Sequence, residues 1–379
     1  MNFAISTEQQ HLVAAIRRFV DKSVSPFARF WEKARQVPEN IIQEVASLGL
    51  LGVTIDERYG GAGFGLPELI LATENLAAGD GSLALLVASH NGLCAEHIAT
   101  YGSDRQKTRY LPSLASGEKL GAWALSGPEN GSDAQAMTTG AEHSGSGWLL
   151  NGTKNYVIGG TRADIFVTFA KTSDKGITAF LVERNTVGLQ TITVGETLGM
   201  RSSGTARLVF DSVFLADENR LGNRDEGFRA ALKILARERM VIAALAVGLG
   251  CGAQDASSRY VKTRKQFGQT IGEFQAIQWK LADMACELDA AALLIGRAVF
   301  DYTCGKPFAK QAAMAKLFAA EVAHRACYEA IQVHGGIGYT KELALERHYR
   351  DVKFCSIGGG TLEIQKILIA NYELLNSNQ

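Results

Sequence analysis

The sequence predicts a mainly α-helical protein with a central β-domain, and three changes of texture along the chain carry that reading. Up to about Glu118 apolar residues recur at helical spacing, broken by the Gly-rich stretch ERYGGAGFG and by short polar turns. From Lys119 to about Gly222 the chain turns to β-branched residues in alternation, as in 165–170, 177–182 and 206–210, with Gly, Asn and Asp between the runs. From Glu226 onward four long helical patterns follow, with seams such as Ile277, Leu281, Met284, Leu288 and Ile295. These textures divide the chain into an N-terminal helical domain (1–118), a middle β-domain (119–222) and a C-terminal helical bundle (223–379).

At the N-terminus, Ser6 and Gln9 have capping-box spacing and open an amphipathic helix carrying Leu12, Ile16 and Phe19, unlike a basic, apolar signal peptide. The longest apolar run, 240–253, is too short to span a bilayer and contains three glycines, which predicts a buried helix and no membrane segment. Lys plus Arg equals Asp plus Glu at 39 each, so no excess charge draws nucleic acid or an anionic membrane. Six cysteines without a CxxC pair argue against structural zinc and fit reduced thiols in a cytoplasmic protein.

Nucleotide and hydrolase motifs are missing. The glycines of 60–65 are not followed by strand, helix and acid at Rossmann spacing, and no Walker sequence occurs. There is no GxSxG elbow, and the seven histidines lack metal-ligand spacing.

One carboxylate stands out. On a period of 3.6, Phe228, Leu235, Ile242, Leu245 and Leu249 form an apolar stripe, and Glu238 falls three residues after Leu235 and four before Ile242. Its charge therefore points into the protein. Burying an ionised carboxylate costs roughly several kcal/mol unless it is paired or used in chemistry, so Glu238 is either an ion-pair partner of Arg237, Arg239 or a distant Lys, or a working group.

The order of helical domain, β-domain and bundle combines with six motifs: LSGPENGSD (125–133), NGTKNYVIGG (151–160), RKQFG (264–268), QAIQWKLADM, QVHGGIGY and GGGTLEIQK. Together they resemble the acyl-CoA dehydrogenase family of flavoproteins over nearly the whole chain. The resemblance implies a β-barrel-like middle domain, a C-terminal four-helix bundle and FAD bound without a Rossmann domain. Ser126, Gly131 and Ser132 match the loop that supplies hydroxyl and N–H donors to flavin and pyrophosphate, with Ser132 also at the substrate. Tyr156, Val157 and Ile158 match the strand beside the isoalloxazine ring. Arg264, Phe267 and Gln275, with Gln332, Gly335 and Gly336, match surfaces that hold the adenosine half of a neighbouring subunit's FAD, which implies a homotetramer or at least a dimer. Thr361 is placed to cap the last helix, whose N-terminus favours phosphate, and Glu363 to accept from a ribose hydroxyl.

In much of the family the base is a Glu directly before the Gly-Thr of the last helix; here that position is Gly359. In the branch resembling isovaleryl-CoA and long-chain acyl-CoA dehydrogenases, the acid instead comes from the first long helix of the bundle, in an ER pair matching Glu238 and Arg239. The resemblance thus implies Glu238 as base, the Gly359 N–H as a donor to the thioester oxygen and Arg239 as a holder of the CoA nucleotide. The implied reaction is α,β-dehydrogenation of an acyl-CoA to a trans-2-enoyl-CoA, with hydride transfer to flavin N5 and an electron-transfer flavoprotein as acceptor. Four positions depart from the usual pattern: Tyr156 for Trp, Ile158 for Thr, Gly127 for an acid and Gly159 for Asn. Such departures occur in biosynthetic relatives, so a carrier-protein-tethered acyl or aminoacyl thioester is the second substrate reading. Flavin monooxygenation and a non-catalytic role stand further off.

Overall fold

A computed structural model of the chain describes residues 5–376, so the expected outer domain limits at 1 and 379 lie outside the described residues. Seven helices come first: α1 (Thr7–Phe19), α2 (Ala28–Ala34), α3 (Glu39–Ser47), α4 (Leu66–Ala77), α5 (Gly81–Ser89), α6 (Glu96–Tyr101) and α7 (Asp104–Ala115). Their starts follow local chemistry. Ser6 and Gln9 close a capping box on α1, Ser103 and Gln106 close another on α7, and Asp80 accepts from Leu83 N to cap α5. Between α5 and α6 the helix widens into a π-turn, His90–Ala95, a device often found at functional sites.

The sheet contains β1 (Gly121–Ala124), β2 (Gly140–Ser144), β3 (Gly147–Val157), β4 (Ile165–Lys171), β5 (Ile177–Glu183), β6 (Leu189–Thr193), β7 (Ala206–Ala216) and β8 (Arg220–Leu221). Its order is β6-β7-β3-β2-β4-β5-β8, with β1 pairing parallel to β4. The sheet is apolar on both faces, and β4 shows why: Ile165, Val167 and Phe169 pack with Trp123 and with helical residues such as Ile234, whereas Phe166 and Ala170 join Trp148, Phe180 and Leu208 on the other face.

The remaining elements are α8 (Gly227–Thr263), a two-stranded ribbon of β9 (Lys265–Gln266) and β10 (Gln269–Thr270), then α9 (Gln275–Thr303), α10 (Ala309–His334), α11 (Leu345–Val352) and α12 (Leu362–Asn376). Helix α8 has 37 residues, about 55 Å of rise, and runs through the centre of the helical core. Its 240–253 stretch is buried apart from the partly covered Cys251 and Gly252, as the apolar run predicts. Gly248 lies against the backbone of α4, Gly252 against that of Ala78 just past its end, and Gly250 against Leu288 and Ala323, positions where a side chain would collide. No helix among the described residues is long and apolar enough to cross a membrane.

Candidate active site

Glu238 is 2 % exposed, in the fourth turn of α8, where Arg237 and Arg239 beside it are also buried. Arg237 pairs with Glu96 of α6 and lies over the Tyr302 ring, so it is committed elsewhere. Arg239 is buried with Nε unpartnered. The ion-pair reading of Glu238 is therefore not realised as a contact: its Oε2 is buried and has no hydrogen-bond partner. Burial pushes the carboxyl up to about 8, and the nearby Arg237 charge only partly opposes this.

One glycine segment packs on that carboxylate, and a second lies one helical turn further along α8. Gly92, in the π-turn, comes so close that a Cβ there would stand 2.6 Å from Glu238 Oε2. One helical turn beyond Glu238, Ile242 faces the 358–360 glycine turn, where a Cβ on Gly359 would lie 3.4 Å from Ile242 Cγ1. Gly359 and Gly360 have φ of +68° and +93°, so this turn uses left-handed backbone that favours glycine. Thr361 accepts from Ile364 N and caps α12 as expected, while Glu363 is exposed in its first turn. The Glu363 carboxyl is held below its usual range, chiefly by its own backbone N–H and then by Thr361.

The sheet approaches the same region through the end of β3. A register shift between Lys154 and Val157 turns Tyr156 into left-handed backbone at φ +56° and leaves its ring 67 % exposed. Val157 is buried inside the sheet, Ile158 packs on the helical core, and a Cβ on Gly159 would meet Leu86 of α5 at 3.1 Å. The loop carrying Ser126, Gly131 and Ser132 is tied to this strand: Asn155 N donates to Ser126 O at 2.9 Å, and the buried Lys154 Nζ donates to Leu125 O at 2.7 Å. Gly131 has open space around it, Ser132 is exposed, and Asn130 Oδ1 is buried without a partner.

A second group forms at the far end of the bundle. The Tyr260 and His334 rings stack at 4.2 Å, bringing the end of α8 beside the end of α10. Arg264, Phe267, Gln275, Gln332, Gly335 and Gly336 are all exposed there, with Phe267 93 % exposed. Arg264 follows Glu238 by 26 residues along α8, about 39 Å of rise, so one chain does not bring the two groups together.

Two contributors had no signal strong enough to single them out. Gly92 reads as an ordinary glycine in a helical run, although an isolated glycine there is a hint of close approach. Lys316 reads as a solvent-facing charge on α10, yet it is fully buried and donates to Gly360 O.

Comparison with known proteins matches three family profiles in order: acyl-CoA dehydrogenase N-terminal domain at 6–118, middle domain at 122–213 and C-terminal domain at 225–373. The chain is 37 % identical to the short-chain specific acyl-CoA dehydrogenase of Clostridium acetobutylicum, over 98 % of this chain and 99 % of that protein. Among solved structures, butyryl-CoA dehydrogenase from Megasphaera elsdenii superposes with a TM-score of 0.95 at 36 % identity, covering 99 % of this chain and 100 % of that one. A glutaryl-CoA dehydrogenase from Mycobacterium smegmatis, solved in complex with FADH2, gives 0.93 at 30 % identity, covering 97 % and 95 %.

Proposed function

The chain belongs to the acyl-CoA dehydrogenase family and is an oxidoreductase, and from this premise we propose that it converts an acyl-CoA thioester to the trans-2-enoyl thioester with Glu238 as base. The observation that carries the assignment is the buried, unpartnered Glu238 Oε2, one helical turn before the residue that faces a glycine turn with no acid of its own. An α-C–H next to a thioester is weakly acidic, so its removal calls for a desolvated carboxylate and donors at the carbonyl oxygen. Glu238 takes the α-proton on Oε2, and the main-chain N–H of Gly359 donates to the thioester oxygen as negative charge builds there. Gly359 also leaves space beside the α-carbon for branched acyl groups.

The residues present fit FAD. Gly131 offers an open backbone approach, Asn130 Oδ1 is a buried acceptor lacking a partner, and Tyr156 presents an exposed ring at the sheet edge. Ser126, Ser132, Val157 and Ile158 would complete the flavin side, with Thr361 and Glu363 at the α12 N-terminus. FAD held by these residues would supply the two-electron oxidising capacity needed for removal of the β-hydrogen as hydride. The far-end group of Arg264, Phe267, Gln275, Gln332, Gly335 and Gly336 serves the cofactor of a neighbouring copy, which makes the protein a homotetramer or dimer. We assign the domains to 1–118, 119–222 and 223–379.

Arg239 favours a CoA nucleotide over a carrier protein, and an electron-transfer flavoprotein suits the reoxidation. The position of the base follows the isovaleryl-CoA and long-chain branch, although the relatives compared above are short-chain, butyryl-CoA and glutaryl-CoA dehydrogenases. The test is anaerobic mixing of the yellow protein with straight and branched acyl-CoA esters while following the oxidised flavin absorbance. Bleaching by one ester identifies the substrate class. An intact flavin that no ester bleaches overturns free acyl-CoA as substrate and turns the search to carrier-tethered thioesters.

A further inference from the structure

The ammonium group of Lys316 lies in the helical core with a turn carbonyl as its acceptor. The residue is fully buried in α10, and its Nζ donates to Gly360 O. Among the described residues no carboxylate forms an ion pair with it; the charged and titratable groups around it are the Cys355 thiol, Arg239 and the exposed Glu363. Burying an ammonium without a counter-charge costs roughly several kcal/mol, and an apolar residue would fill the same volume without that penalty. Its one directed interaction is with the turn.

That turn is poorly determined by its own sequence. Gly359 and Gly360 are consecutive glycines in left-handed backbone, the least restrained kind of chain. Gln365, also fully buried, adds a second donor from the first turn of α12, with Nε2 at 2.9 Å from Gly360 O and 3.3 Å from Thr361 O. Two buried donors from two helices thus converge on one carbonyl, one residue beyond Gly359.

We infer that Lys316 is a positioning residue for the reaction: with Gln365 it holds the Gly359–Gly360 turn from behind, so that the Gly359 N–H stays aimed at the thioester oxygen. The inference rests on the proposed dehydrogenation with Gly359 as carbonyl donor. The lysine touches neither substrate nor reacting atoms and acts through the backbone it pins. Losing the clamp lets the donor drift, and a misplacement of about 1 Å costs on the order of 10²-fold in rate.

The test uses the holoenzyme and para-(dimethylamino)cinnamoyl-CoA, a thioester whose absorption moves to the red when its carbonyl oxygen accepts hydrogen bonds. Lys316→Met should bind the probe within about threefold of the parent and lower kcat by roughly 10- to 100-fold with KM little changed. The red-shift of the bound probe should fall to less than half. A merely structural lysine would lower stability without moving the spectrum of the bound probe. Glu238→Gln should keep the full red-shift while losing turnover, since the base is not a carbonyl donor. Should Lys316→Met not fold, Gln365→Leu removes the partner donor and is read in the same way. A folded variant with the full red-shift and parental kcat overturns the clamp. No red-shift in the parent overturns Gly359 as carbonyl donor, a separate failure.

Discussion

Gly92 and Glu238 are fitted to each other: a methyl group on Gly92 would stand 2.6 Å from Glu238 Oε2 and 3.5 Å from Leu69 Cδ2. The π-turn and α8 therefore approach at a point where only hydrogen leaves room for the carboxylate. Gly92→Ala should displace the base by a fraction of its own size and lower kcat by about 10²-fold while the flavin stays bound. Stopped-flow bleaching of the parent and the variant by the same ester checks it; equal rates would separate Gly92 from the chemistry.

Glu238→Gln keeps the volume of the side chain and removes the base. Loss of a positioned general base costs about 10²–10⁴-fold, so bleaching should slow by that factor with ester binding largely retained. A variant that reduces its flavin at the parental rate would falsify the assignment.

The elevated Glu238 carboxyl makes two linked pH predictions. In the free enzyme the base is competent only after losing its proton, so kcat/KM should rise with pH through about 8. Stability should run the other way. Between the ordinary carboxyl value of 4.5 and about 8 the folded protein keeps a proton that the unfolded chain has released, so stability declines as pH rises across that window. Melting curves of parent and Glu238→Gln from pH 5 to 9 should show the variant gaining relative stability at the alkaline end.

Arg237 lowers the Glu238 pKa while paired to Glu96. Replacing it by Gln removes that opposing charge. The midpoint of the kcat/KM profile should then move to higher pH, whereas an unchanged midpoint would show that Arg237 serves α6 alone.

Much of this architecture was legible in the sequence because its signals are local. The Ser6–Gln9 capping box, the β-branched apolar runs of β4 and β5, and the carboxylate interrupting the apolar stripe of α8 each act within a few residues. What escaped depends on segments distant in sequence. Only the end of the NGTKNYV run, at Tyr156 and Val157, is read as strand from the sequence, whereas all of it belongs to the long β3, and its lysine is buried because Leu125 O and Met137 Sδ receive its Nζ from another segment. Gly92 matters only because α8 arrives beside it, and Lys316 only because the 358–360 turn folds back over α10. The far-end group is read by motif, and its members stand exposed where the ends of α8 and α10 meet.

The glycines of α8 bear on how such a protein can change. Gly248 admits the backbone of α4, Gly252 that of Ala78 just past it, and Gly250 admits Leu288 and Ala323, so enlarging any of them drives neighbouring segments away from the helix that carries the carboxylate. The rod carrying Glu238 is consequently a poor reservoir of tolerated variation.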